Sequence, residues 1–139
     1  MDAVADSGAI FALYDSSDQH HQAVVEALRR IRGRIYFPAA LLSECSYLLE
    51  RFLDLRAQLD WLRSIQSGAF LLSETTVADL GRCSELLRQY ADLRLGLADA
   101  AVVATAERLG IPTILTVDLR HFRVVQSKLG PLRLPPADL

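Results

Sequence analysis

Lysine is almost absent from this chain. Of its 15 basic residues only Lys128 is a lysine, the rest are arginine, and 17 acidic residues leave a net charge of −2. That balance excludes a protein that grips nucleic acid through bulk positive charge. It leaves local phosphate contacts open, because arginine is the better bidentate phosphate ligand, although genome composition alone also explains such a bias. Cysteine is scarce too: Cys45 and Cys83 lie far apart with no CxxC and no paired histidine spacing, which excludes a disulfide framework and a zinc ribbon and predicts two reduced thiols. His20 and His21 are adjacent, so on a helix they point about 100° apart and do not share one ion. No apolar run approaches the roughly 18 residues of a membrane span, and Met1–Asp6 lacks the basic-then-apolar order of a signal peptide, so a cytoplasmic location is expected. Repeats, low-complexity tracts and linkers are also missing. With 51% hydrophobic residues, the expectation is one domain over residues 1–139 with a substantial core.

What is present is an alternation of short strand-like and helical segments. Ala3–Val4–Ala5 is a strand, Ala9–Tyr14 a helical turn or two, and Ser16 with Gln19 suggests a capping box opening a helix to about Arg32. Strand Arg34–Phe37 is closed by Pro38, which opens a helix to Phe52 with a core stripe of Leu41, Cys45, Leu48 and Phe52. A helix over about Arg56–Ser67, a strand Ala69–Leu72 and a helix Val77–Tyr90 follow. The helix from Leu97 is ended by Gly110, and Thr113–Val117 is a β-branched strand. A short strand Arg123–Val125 and an apolar segment Leu132–Leu134 complete the chain. Such alternation implies right-handed βαβ crossovers and a single α/β domain, its mostly parallel central sheet flanked by helices on both faces.

Several acids occupy places where a fold would favour apolar groups. Asp6 lies between two buried-looking segments, a costly place for a carboxylate unless it is hydrogen-bonded, solvated or bound to a cation. Asp99 falls within the apolar stripe of Val102, Val103, Ala106 and Leu109, and is either a first-turn cap or a functional group. Asp118 directly follows a strand, where open α/β sheets bind ligands and where turn aspartates are also common. Glu44 lies at the margin of its helix's buried face, and Asp92 is either a further acid or a turn residue. Acids converging in one cleft repel one another unless a cation is present. All-oxygen ligation suits Mg²⁺ or Mn²⁺, and the reaction class that follows is hydrolysis of a nucleic acid backbone.

The order of these signals, Asp6-Ser7, then Glu44 in LLSECSYLL, then Asp99 in LADAAVVATAERLG, then Asp118 in ILTVDLRHF, resembles the PIN domain family. Within it, the chain is similar to the compact VapC-type ribonuclease toxins of bacterial toxin–antitoxin pairs. The resemblance spans essentially the whole chain. It implies a Mg²⁺- or Mn²⁺-dependent ribonuclease whose acidic cluster is Asp6, Glu44, Asp99 and Asp118. By the same analogy Ser7 and Thr116 order the cluster and Arg120 contacts phosphate. The resemblance also implies a homodimer, an RNA substrate and a small cognate antitoxin protein. An RNA-processing nuclease without an antitoxin and a non-catalytic PIN-like module are the alternatives. A receiver domain is disfavoured by the position of Lys128, and a haloacid-dehalogenase-type phosphatase by Gly8, which stands where a second aspartate is needed.

Overall fold

The computed structural model describes all 139 residues. Strand β1 (Ala3–Ala5) is followed by helices α1 (Ser7–Tyr14) and α2 (His21–Arg30), strand β2 (Ile35–Pro38), and helices α3 (Leu42–Phe52) and α4 (Leu55–Gln66). Strand β3 (Leu71–Ser73), helix α5 (Val77–Gln89), helix α6 (Leu97–Leu109), strand β4 (Ile114–Leu115) and the one-turn helix α7 (Leu119–Phe122) complete it. The four strands form one sheet in the order β3-β2-β1-β4 and every pairing is parallel, with Val4 opposite Tyr36 on one side and Ile114 on the other. Successive strand residues face opposite sides, and Ala3, Val4 and Ala5 are all buried, so both faces of β1 are covered. No helix is long and apolar enough to cross a membrane.

Helix α6 departs from the single stripe expected of it. Ala100 to Ala106 are buried without a break, because the helix lies between the sheet and α5, and four alanines among them permit close approach on several sides. Gly110 ends it in the left-handed region at φ 70°, which glycine adopts without strain.

Other boundaries move for identifiable reasons. No capping box forms at Ser16 and Gln19: Asp15 and Asp18 organise that loop by accepting the Ser17 and His20 backbone N–H groups, and α2 starts only at His21. Pro38 belongs to β2, where it pairs with Ser73, and a 3₁₀ turn over Ala39–Leu41 precedes α3. That turn rotates the helix, so its buried residues are Cys45, Ser46 and Leu49, whereas Phe52 is 63% exposed and meets Phe11 edge-on at 6.5 Å. Arg123–Val125 is no strand, because the Val124 and Val125 N–H groups turn back to the His121 carbonyl. The segment around Arg133 instead lines the outer edge of β4: Ile114 N–H donates to Arg133 O and Thr116 N–H to Pro135 O.

Candidate active site

Parallel pairing brings the carboxyl ends of β1 and β4 side by side, and the first acid stands where β1 stops. Asp6 has extended backbone (φ −99°, ψ 172°) and caps α1, its Oδ1 accepting the Ala9 N–H at 2.9 Å. Its Oδ2 accepts the Thr116 hydroxyl at 2.5 Å, across 110 residues of sequence. The same Thr116 oxygen accepts the Asp118 N–H at 3.0 Å, so one buried hydroxyl ties the first acid to the last. Asp118 in turn caps α7, its Oδ1 accepting the Arg120 N–H at 3.1 Å.

The third acid arrives on α6. Asp99 sits in the first turn but does not cap it; Gly96 is the N-cap and makes no side-chain bond. The Asp99 Oδ2 lies 2.7 Å from Nδ1 of His121, which is only 8% exposed. Asp99, Asp118 and His121 each present a ligand atom within 4.8 Å of the others. His121 escapes a reading of the sequence that looks for acids. The signal was in DLRHF, since residues three apart on one helical turn share a face, which sets His121 beside Asp118.

The electrostatics follow from this crowding. Asp6 is 6% exposed, and burial, the largest influence, lifts its carboxyl from 3.8 to about 6; the Thr116 and Ala9 hydrogen bonds oppose the rise, and the nearby Asp99 and Asp118 add to it. No lysine or arginine pairs with Asp6, Asp99 or Asp118. Ser7 follows Asp6, and its buried Oγ makes no hydrogen bond of good geometry but lies by the Cys45 thiol. Burial pushes the Cys45 thiol up to about 12; the neighbouring Ser7 hydroxyl opposes the rise and the Asp6 and Glu44 carboxylates add to it, so it offers no thiolate. Glu44 itself stands exposed in the first turn of α3, outside the trio of gathered ligand atoms. Arg120 is exposed on α7, and Asp92 lies in the exposed turn Ala91–Leu93.

Two cavities bear on where chemistry can occur. One of about 490 Å³ lies at the opposite, amino-terminal end of the strands, lined by Met1, Asp2, Ile111, Pro112 and Arg133, and it contains none of these site acids. Another of about 270 Å³ is lined by His20, Ala23, Thr116, Val117, Leu119 and Pro136, and so includes the threonine that bonds Asp6 but none of the acids themselves.

Carboxylates gathered at the carboxyl ends of parallel strands, without a lysine or arginine among them, define a domain suited to a hard divalent ion. The donor set fits Mg²⁺ or Mn²⁺, since Asp99 and Asp118 each keep one oxygen free of any hydrogen bond from the chain. The chain belongs to the PIN domain family, whose pattern matches residues 3–127. It is 31% identical over 123 residues to Ribonuclease VapC26 of Mycobacterium tuberculosis, covering 88% of this chain and 91% of that protein. Its fold is similar to that of Mycobacterium tuberculosis VapC20, a sarcin–ricin loop-cleaving toxin, with TM-score 0.78 and 19% identity over 84% of this chain and 89% of that one. It is also similar to VapBC2 from Rickettsia felis, solved bound to a DNA fragment from their promoter, with TM-score 0.70 and 13% identity over 96% of this chain and 98% of that one.

Proposed function

We propose that this chain is a divalent-metal-dependent ribonuclease that hydrolyses RNA phosphodiester bonds as the toxin of a toxin–antitoxin pair. The observation that carries the reading is the gathering of Asp99 and Asp118 with His121, and of Asp6 beside them through the Thr116 hydroxyl, uncompensated by any lysine or arginine, in a PIN domain related to a VapC ribonuclease. In this reading Asp6, Asp99 and Asp118 hold the ion, and Glu44, exposed on the flanking helix, completes the cluster from the side. Mg²⁺ or Mn²⁺ bound there would neutralise the acids and supply activated water for in-line attack on phosphorus. The remaining work belongs to the chain. Thr116 holds the Asp6 carboxylate against β4, the Asp118 backbone N–H is anchored on the same hydroxyl, and Ser7, next to Asp6 in the chain, would help to order the cluster. Arg120, two residues past Asp118 and exposed, presents its guanidinium to a phosphate oxygen. The partners in this reading are an RNA substrate, a small cognate antitoxin protein and a second copy of the chain, acting in the cytoplasm.

The test is cleavage of total cellular RNA by purified protein with Mg²⁺, with Mn²⁺ and with EDTA, beside the Asp99→Asn variant. We expect metal-dependent cleavage by the wild type and none by the variant, with the metal-free variant melting no lower than the wild type because one repelling charge is gone. Cleavage that survives EDTA or Asp99→Asn would remove the acidic cluster from the reaction. A folded, metal-loaded protein that neither cleaves RNA nor arrests growth on expression would favour the non-catalytic alternative.

A further inference from the structure

The three acids are not held equally. Asp6 has two partners, a backbone N–H and the Thr116 hydroxyl, and Asp118 is held through the Arg120 N–H. Asp99 has neither: no backbone N–H donates to its side chain, and its single hydrogen bond is to the His121 ring. Because an ionised carboxylate only accepts, the His121 Nδ1 carries the hydrogen and donates it.

His121 is well placed for this work. Phe122 beside it is 2% exposed and anchors the turn in the core, while the His121 carbonyl accepts the N–H groups of Val124 and Val125, both at 3.1 Å. The ring is therefore mounted on a backbone fixed from both sides, and its Nε2 makes no hydrogen bond to the protein. We propose that His121 is the positioning residue for Asp99: its Nδ1–H pins one carboxylate oxygen so that the other is presented to the cation. Through it, α7 orders two acids from different elements, Asp118 by capping and Asp99 by the imidazole. This rests on the metal-dependent reading above, and it assigns the histidine a role toward the ion without contact with the reacting phosphate.

The test is calorimetric titration of Mn²⁺ into metal-free wild type, His121→Ala, His121→Asn and His121→Gln, with a thermal melt of each. We expect His121→Ala to bind Mn²⁺ about tenfold or more weakly, and His121→Asn, whose amide nitrogen falls near the Nδ1 position, to return to within about threefold of wild type. His121→Gln, whose amide nitrogen falls nearer Nε2, should stay as weak as His121→Ala. Wild-type affinity in a folded His121→Ala, or rescue by glutamine in place of asparagine, would overturn the positioning role while leaving the nuclease reading intact. If His121→Ala does not fold, the contrast between asparagine and glutamine still decides. A wild type that takes up no Mn²⁺ would sink the metal reading and this inference with it.

Discussion

At the scale of single residues, acids proposed as metal ligands also do structural work. Asp6 caps α1 and Asp118 caps α7, yet both keep acceptor capacity turned toward the cluster. The choice between cap and ligand that the sequence poses is a false one, since a carboxylate has two oxygens and about four lone pairs. Asp99, which the sequence leaves open as a first-turn cap, caps nothing. The cost of the arrangement shows in Asp6. Its carboxyl titrates near 6 in the folded chain against 3.8 ordinarily, so the folded state holds the proton more tightly than the unfolded state does. The metal-free protein therefore has this stability in full below about pH 4 and loses it as pH rises through 6, by about 3 kcal/mol from this group alone. Mn²⁺ should reverse the trend by taking the proton's place. Thermal melts at pH 5 and pH 7.5 should show a larger Mn²⁺-induced rise in Tm at the higher pH; an equal rise at both would mean that Asp6 does not meet the ion.

At the scale of elements, what local pattern controls was legible and what distant pairing controls was not. Strand β1, helices α4, α5 and α6 and the glycine stop at Gly110 follow from periodicity, capping and turn chemistry within a few residues. The start of α2, the place of Pro38 and the rotation of α3 depend on loop hydrogen bonds and on a strand partner, Ser73, 35 positions away. For the site, Asp6, Asp99 and Asp118 could be read as misplaced charges. The Thr116 hydroxyl enters the site through family resemblance alone, since nothing local joins it to Asp6. His121 gave no hydrophobic or charge anomaly at all. Glu107 of α6 is likewise a junction made by residues distant in the chain. Arg82 of α5 donates to both its oxygens at 2.7 and 3.0 Å, and the Lys128 N–H donates at 2.8 Å. Burial alone would raise this carboxyl, but those donors outweigh it and hold it below the usual range. Glu107→Gln should destabilise the protein by about 1–3 kcal/mol through loss of the charge opposite Arg82. A urea midpoint unchanged from wild type would show that the junction adds nothing.

At the scale of the whole molecule, the sheet has two unlike edges. On the β3 side it ends in three residues. On the β4 side the segment from Arg133 takes over the edge, and Asp138 fastens that segment by accepting from both terminal nitrogens of Arg123 at 2.6 Å and from the Leu134 N–H. Removing residues 133–139 should free the Ile114 and Thr116 N–H groups and leave Arg123 unpaired, lowering stability by about 3 kcal/mol. Hydrogen exchange should then quicken at Thr116 and at Asp6, whose N–H pairs with Leu115 O; protection equal to wild type would mean that the segment does not brace the site.

The bond between Thr116 and Asp6 also has a temporal meaning. Every acid of the cluster except Asp118 lies within the first 99 residues, but the hydroxyl that orients Asp6 and the imidazole that orients Asp99 belong to residues 116 and 121. A ribosome making this chain therefore carries an unassembled centre until residues 116 and 121 have emerged. An enzyme read here as an RNA cutter cannot act from a half-made copy on the transcript that is being translated.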